Sequence, residues 1–246
     1  MQLSICHLYP DLLDLYGDRG NIIALAARCR WRGIEPAVVN ASLGDRLDFN
    51  RMDILFIGGG SDREQGLLAE DLVRRKDDLH QAVEDGLVVL TICGGYQLMG
   101  RYYQTADGRK IPGLDLLNIW TEAGHKRLIG NVTAEINSEV MADGELGSIV
   151  GFENHSGKTY LGQGMRPLGR VVYGNGNNGE DGWEGVRFRN VFGTYLHGPL
   201  LPKNPHLADT LLQLAFERRG YVGKLPRLND DLEILAHQAV LKRWNK

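Results

Sequence analysis

Residues Val88-Val89-Leu90-Thr91-Ile92 form an apolar run that stops at Cys93-Gly94-Gly95 and passes at once into Tyr96-Gln97-Leu98-Met99, which reads as the start of a helix. A strand that turns straight into a helix lifts one side chain out of the sheet and leaves the next backbone N–H free to meet an anion. With serine at the apex this is the nucleophile elbow of hydrolases. With cysteine it suits acyl transfer through a thioester. Free cysteine is also a common small core residue, so it is the flanking strand and helix that turn the segment toward chemistry.

The elbow sits inside a longer alternation. Leu3 to Leu8, Pro36 to Val39, Asp53 to Ile57 and Leu87 to Ile92 read as strands, and Asn21 to Arg32 and Glu64 to Glu84 carry helical spacing between them. Such alternation predicts an α/β fold: a mostly parallel central sheet with helices on both faces, in three layers. Ligands in such folds bind beyond the carboxyl ends of the strands, where both Gly58-Gly59-Gly60 and Cys93-Gly94-Gly95 fall. Short strands are expected at 116–120, 128–136, 149–153, 170–173 and 185–188, extending the same sheet, with a flexible polar loop over 174–182. Another strand, Val191 to Leu196, ends at His197-Gly198-Pro199. Two helices, Pro205 to Arg219 with Asn204 as cap and Asp230 to Trp244, are expected to close a single domain over 1–246.

Several classes of function lose support. A net charge of −3 offers no basic field for nucleic acid. The apolar runs are too short to span a bilayer, and Met1-Gln2-Leu3-Ser4 enters a strand without the marks of a secretory signal. Three widely spaced cysteines, Cys6, Cys29 and Cys93, argue against a disulfide framework and for a reducing cytoplasm. The sequence has no Cys-x-x-Cys and no His-x-x-x-His pair, so no metal site is expected. The Gly58–Gly60 turn is followed by neither a Walker lysine nor a dinucleotide fingerprint, so no cofactor is expected in this chain.

A thiol is mostly protonated at neutral pH, so Cys93 needs a base and a positive field. The helix after it supplies part of the field. Of seven histidines, His80, His206 and His237 fall on helices and read as surface residues. His197 repeats the logic of Cys93, following a buried strand and preceding a Gly-Pro stop. For the tetrahedral intermediate, Gly94 N–H is one donor, and the Gly58–Gly60 turn can bring a second from Gly59 or Gly60, since glycine lets backbone approach closely.

The ordered set Gly58-Gly59-Gly60-Ser61-Asp62-Arg63-Glu64-Gln65, Ile92-Cys93-Gly94-Gly95-Tyr96-Gln97, Gly151-Phe152-Glu153-Asn154-His155-Ser156-Gly157 and Thr194-Tyr195-Leu196-His197-Gly198-Pro199 resembles the class I glutamine amidotransferases, in particular their cobyric-acid-synthase-like branch. The opening His7-Leu8-Tyr9-Pro10 with Leu15-Tyr16-Gly17-Asp18-Arg19-Gly20-Asn21 is similar to the branch's stand-alone glutaminase subunits of cell-wall precursor amidation. The resemblance implies a flavodoxin-like domain in which Cys93 attacks the glutamine side-chain amide and His197 manages the protons. It further implies a cytoplasmic heterodimer, at the inner face of the membrane through its complex. The partner subunit would resemble a Mur ligase (MurT), carry ATP and Mg²⁺, and amidate D-glutamate of the lipid II stem peptide with the ammonia released. Many enzymes of the class place a glutamate two residues after the histidine; here that residue is Pro199. Glu153 is then the candidate to orient His197. Arg127 is the candidate for the substrate α-carboxylate, and Gln97, one turn into the elbow helix, joins it as a substrate-side residue that orders the site. Asp18 and Arg19 line either the site or the partner surface. Two alternatives stand beside this reading: a γ-glutamyl hydrolase or related cysteine peptidase, and a scaffold subunit without chemistry.

Overall fold

The computed structural model describes residues 2–136 and 146–243. In chain order its regular elements begin with β1 (Gln2–Leu8), α1 (Arg19–Arg30), β2 (Glu35–Ala41), β3 (Ile54–Ile57), α2 (Asp62–Arg74), α3 (Lys76–Glu84), β4 (Val88–Ile92) and α4 (Gly94–Leu98). They continue with β5 (Tyr102–Gln104), β6 (Lys110–Pro112), β7 (Ile119–Ile136), β8 (Ser148–Leu161), β9 (Gly169–Tyr173), β10 (Trp183–Glu184), β11 (Val186–Phe188), β12 (Val191–Thr194), α5 (Pro205–Arg218) and α6 (Asp231–Lys242).

One sheet runs β11-β12-β4-β3-β1-β2, parallel except for the β11–β12 pair. Strands β3 and β4 are buried at every residue, which is why they read as unbroken apolar runs. The chain steps outward from β1 to β2 and in the opposite direction from β3 to β4. Right-handed crossovers therefore put α1 and the α2–α3 pair on opposite faces. The register aligns the carboxyl ends: Leu8 lies opposite Ile57, Ile57 opposite Thr91, and Ile92 opposite Thr194. The loops after β1, β3, β4 and β12 consequently meet at one rim, at the point where the strand order reverses and ligands are expected.

Of the strands expected in the middle of the chain, that at 185–188 does join this sheet, as β11, whereas those at 116–120, 128–136, 149–153 and 170–173 do not, contrary to the sequence expectation. They belong to a second sheet, β10-β9-β7-β5-β6 with β8 also on β7. The residues of β8 answer those of β7 in antiparallel register, with an irregularity between Ala123 and Leu128. These long neighbours pair along most of their length, and β5 and β9 take the other edge of β7, so the two strands build a sheet of their own. The two sheets touch through an isolated bridge between Phe152 and His197.

The helix expected over 64–84 is two helices that meet at Arg75. Asn204 does occupy the cap position before Pro205, but its side chain makes no cap bond. It pairs instead with both backbone groups of Val150, at 2.9 and 2.8 Å, and so ties α5 to β8. The last helix falls where expected, with Trp244 lying outside the described residues. His237 on that helix is fully buried rather than exposed, held between Ser148 and the Lys203 carbonyl. No described helix is long and apolar enough to cross a membrane.

Candidate active site

Cys93 holds φ 49° and ψ −105°, a strained conformation for a residue with a Cβ. Its N–H donates to the Thr194 carbonyl at 2.8 Å and its carbonyl accepts from Gln97 N–H at 2.9 Å, so β12 and α4 together hold the turn. The elbow leaves no room for side chains after the cysteine. A Cβ on Gly94 would lie 2.9 Å from both Gly60 N and Gly60 O, and one on Gly95 would lie 2.7 Å from the Ile57 carbonyl. The two glycine-rich turns are thus packed backbone on backbone.

His197 reaches the same rim from β12. Its N–H donates to Phe152 O at 2.7 Å and its ring is buried. A single point, where a Gly59 Cβ would sit, is 2.6 Å from His197 Cε1, 3.3 Å from Cys93 Cβ and 3.3 Å from Asp18 Oδ2. The ring of Tyr16 closes the outer side, edge-on to the imidazole with centroids 5.0 Å apart.

Asp18, in the loop after β1, orients the histidine. Its Oδ1 lies 3.1 Å from His197 Nδ1, and its Oδ2 accepts from Gly59 N–H at 2.8 Å. Both side chains are fully buried. Sequence reasoning left Asp18 between two roles, because 179 residues separate it from its partner. The one local sign was a polar residue in a glycine-bounded loop leaving a buried strand. The space that a glutamate after the histidine would use is filled by Pro199, which packs on Gly20 so tightly that a Cβ there would lie 2.5 Å from Pro199 Cγ. The carboxylate arrives from the opposite chain segment instead.

Glu153 does not orient His197, which corrects the sequence expectation. Its carboxylate accepts from Asn175 N–H, Asn175 Nδ2 and Gly176 N–H at 2.7–2.9 Å and lies 3.6 Å from His155 Nε2. It pins the 174–182 loop, which is accordingly ordered rather than flexible. Gly59 is likewise corrected as an oxyanion donor, since its N–H is engaged by Asp18. The N–H groups of Gly60 and Gly94 have no acceptor among the described residues, and the two glycines are in backbone contact. Gln97 spends its amide on Gln65 Nε2 at 2.8 Å and Tyr195 OH at 3.0 Å, so it braces the wall and is not a substrate ligand in this arrangement. Arg127 is exposed at the mouth. Its Nε donates to Asn154 Oδ1, and Asn154 Nδ2 donates to Tyr16 OH at 2.6 Å. The two terminal guanidinium nitrogens have no acceptor among the described residues, leaving a free fork suited to a carboxylate.

Burial disfavours a charged His197, but the Asp18 hydrogen bond and the Cys93 sulfur outweigh it and raise the imidazole to about 10. Nε2, the ring atom turned away from Asp18, has no hydrogen-bond partner of ordinary geometry among the described residues, and Cys93 is the group that acts on the ring beside Asp18. The sulfur and the ring are therefore in electrostatic contact, with Nε2 free to exchange a proton. Cys6 and Cys29 differ: burial pushes their thiols up to about 12 and about 11, which makes them inert at neutral pH. A nucleophile, a buried base with its orienting carboxylate, and two free N–H donors suffice for acyl transfer from an amide. No group of three or more metal-ligating side chains occurs among the described residues.

Residues 4–205 match the CobB/CobQ-like glutamine amidotransferase domain. A Staphylococcus aureus protein described as the glutamine-hydrolysing subunit GatD of lipid II isoglutaminyl synthase is 45% identical over 245 residues, covering 100% of this chain and 97% of that protein. Its Streptococcus pneumoniae counterpart is 42% identical over 94% of this chain and 87% of its own. A cobyric acid synthase of Pelotomaculum thermopropionicum is 30% identical over 76% of this chain but only 37% of itself. Among solved structures, a glutamine amidotransferase superposes with a TM-score of 0.56 at 18% identity, covering 86% of this chain and 98% of that one. Another, from Thermotoga maritima, does so at 0.55 and 12% identity, covering 97% and 93%; at such identities they show the fold alone.

Proposed function

The chain belongs to the CobB/CobQ-like glutamine amidotransferase family, and on that premise we propose that Cys93, His197 and Asp18 hydrolyse glutamine as the glutaminase subunit of a lipid II isoglutaminyl synthase. Cys93 Sγ attacks the side-chain carbonyl carbon of glutamine, and the Gly60 and Gly94 N–H groups hold the oxyanion. His197 Nε2 gives its proton to the amide nitrogen, the C–N bond breaks, and ammonia leaves a γ-glutamyl thioester. His197 then takes a proton from water, hydroxide adds to the thioester carbon, and the C–S bond breaks to release glutamate and restore the thiolate. Asp18 keeps Nδ1 as a donor throughout, so that Nε2 stays the working nitrogen. Arg127 takes the α-carboxylate of the substrate.

The observation that carries this reading is the meeting of Cys93, His197 and Asp18 around one point beside Gly59. The hydrolysis itself calls for no cofactor. The ammonia is passed to a Mur-ligase-like partner subunit (MurT) in a cytoplasmic heterodimer, where ATP and Mg²⁺ activate the D-glutamate carboxylate of the lipid II stem peptide. The names of the two nearly full-length relatives, each a subunit of a lipid II isoglutaminyl synthase, support a partner subunit and a lipid II product. The test is ammonia release from glutamine by the pure chain and by Cys93→Ala, each with and without the Mur-ligase-like protein that co-purifies. Full activity of the alanine variant would remove the assigned nucleophile; no co-purifying ligase would remove the partner.

A further inference from the structure

The loop between β9 and β10 is clamped at both ends. Glu153 holds its start, and Asn177 exchanges two hydrogen bonds with Gly185, at 3.0 and 2.9 Å, at its close. So fixed, the loop delivers Glu184 into the protein with no exposed surface. Glu184 Oε1 accepts from Thr194 Oγ1 at 2.5 Å and from Tyr195 N–H at 3.1 Å. Thr194 is the residue whose carbonyl holds Cys93 N–H, and its hydroxyl also accepts from Leu196 N–H at 3.1 Å, one residue before His197. One carboxylate therefore grips the strand end that the nucleophile and the base share. Its other oxygen, Oε2, is buried and has no hydrogen-bond partner among the described residues.

An amide oxygen would accept the same two bonds without the cost of burying a charge. The presence of a carboxylate points to a use for the charge itself. We propose that Glu184 is a positioning residue for glutamine hydrolysis: it fixes the Thr194–His197 segment and its negative charge supports the His197 imidazolium. The inference rests on the glutaminase reading above and deepens it. The groups around Glu184 are Glu153 on β8, Tyr96 on α4, and Tyr195 and His197 on the segment it holds. Burial pushes its carboxyl up to about 7, with Glu153 adding to the rise, while the Thr194 and Tyr195 bonds and His197 oppose it. The charge thus comes and goes near neutral pH. When Glu184 is protonated the His197 imidazolium beside Cys93 loses that support.

The test compares wild type with Glu184→Gln, which keeps the oxygen acceptor and removes the charge, and with Glu184→Ala, which removes both. Two readouts are taken from about pH 5.5 to about pH 9: kcat and KM for glutamine, and the rate at which iodoacetamide alkylates Cys93. Expected in wild type is a rise in alkylation rate centred near 7. Expected in Glu184→Gln is a profile without that rise, a kcat about fivefold lower with KM held, and a melting temperature no lower than wild type. Glu184→Ala should lose more kcat than Glu184→Gln. A wild-type profile flat through neutral pH overturns the proposal even if both variants fail to fold, and so does a Glu184→Gln variant with the wild-type profile and kcat. Alkylation does not depend on glutamine turnover, so a chain that fails to hydrolyse glutamine refutes the function and not the role of Glu184. Normal turnover with a flat profile refutes only the latter.

Discussion

Asp18→Asn is the substitution that most sharply separates an oriented base from a histidine that merely lies near a cysteine. The carboxylate accepts from two buried donors at once, Gly59 N–H at 2.8 Å and His197 Nδ1 at 3.1 Å. Asparagine has the same shape but one acceptor oxygen, so it keeps one of these bonds and turns an NH₂ toward the other donor. If the Gly59 bond survives, His197 must present Nδ1 as an acceptor, which moves its proton to Nε2 and spoils the working tautomer. If the histidine bond survives, Gly59 N–H is left buried and unpaired, and the turn that presents Gly60 is loosened. Either way one hydrogen bond to a charged group is lost, about 1.5–3 kcal/mol. At about 1.4 kcal/mol per factor of ten, kcat/KM for glutamine should fall by about tenfold to about a hundredfold. The pH profile adds a second reading. His197 is raised to about 10 partly by Asp18, so removing the carboxylate lowers it and draws the alkaline limb of kcat/KM to lower pH. The same shift acts on folding. A histidine whose folded value lies above its ordinary 6.5 stabilises fully below 6.5 and loses that contribution as pH rises toward 10, so the wild type should lose more stability over that window than Asp18→Asn. Steady-state ammonia release across pH, with thermal melts on the same samples, measures both. An Asp18→Asn enzyme within about threefold of wild type, with an unmoved alkaline limb, would refute the orienting role.

Other substitutions probe other parts of the site. Gly94→Ala places a Cβ 2.9 Å from Gly60 N and O, where neither backbone atom can give way; expected is a fall in kcat of about a hundredfold or more, with binding of a glutamine analogue measured separately to show that the cleft persists. Arg127→Gln should raise KM for glutamine by about tenfold and leave kcat within about threefold, and an unchanged KM would remove Arg127 from substrate binding. Intact protein treated with iodoacetamide at neutral pH should gain one adduct, on Cys93, since burial holds Cys6 and Cys29 at about 12 and about 11; peptide mass mapping checks it. Glu184 binds its proton more tightly folded than unfolded, so wild type should lose stability as pH rises from 4.5 through about 7 while Glu184→Gln does not, as melts across that range would show.

What the sequence revealed is what local pattern encodes. The apolar run into Cys93-Gly94-Gly95, the Gly58–Gly60 turn and the strand into His197 each announce themselves within a few residues, and parallel-sheet topology then brings all three to one rim. The orienting role of Asp18 is beyond such reasoning because its partner lies across the fold, and the shared register of β1, β3, β4 and β12 is what joins them. Glu153 misled because it sits beside Phe152, whose backbone does bridge His197, while its own side chain faces the opposite way toward Asn175 and Gly176. The second sheet was hidden by Glu122 to Arg127, where β7 is mostly exposed and irregular and the two-residue alternation disappears. The 174–182 loop reads as flexible from its glycines and asparagines, yet Asn177 and Asn178 are buried and bonded to backbone, an order that composition alone does not signal.

Acid-quench mass spectrometry during glutamine turnover tests the central claim most directly. Expected is a γ-glutamyl thioester on the peptide that carries Cys93, absent from Cys93→Ala, which should also release no ammonia above background. An adduct on another residue, or undiminished ammonia release from Cys93→Ala, would contradict it.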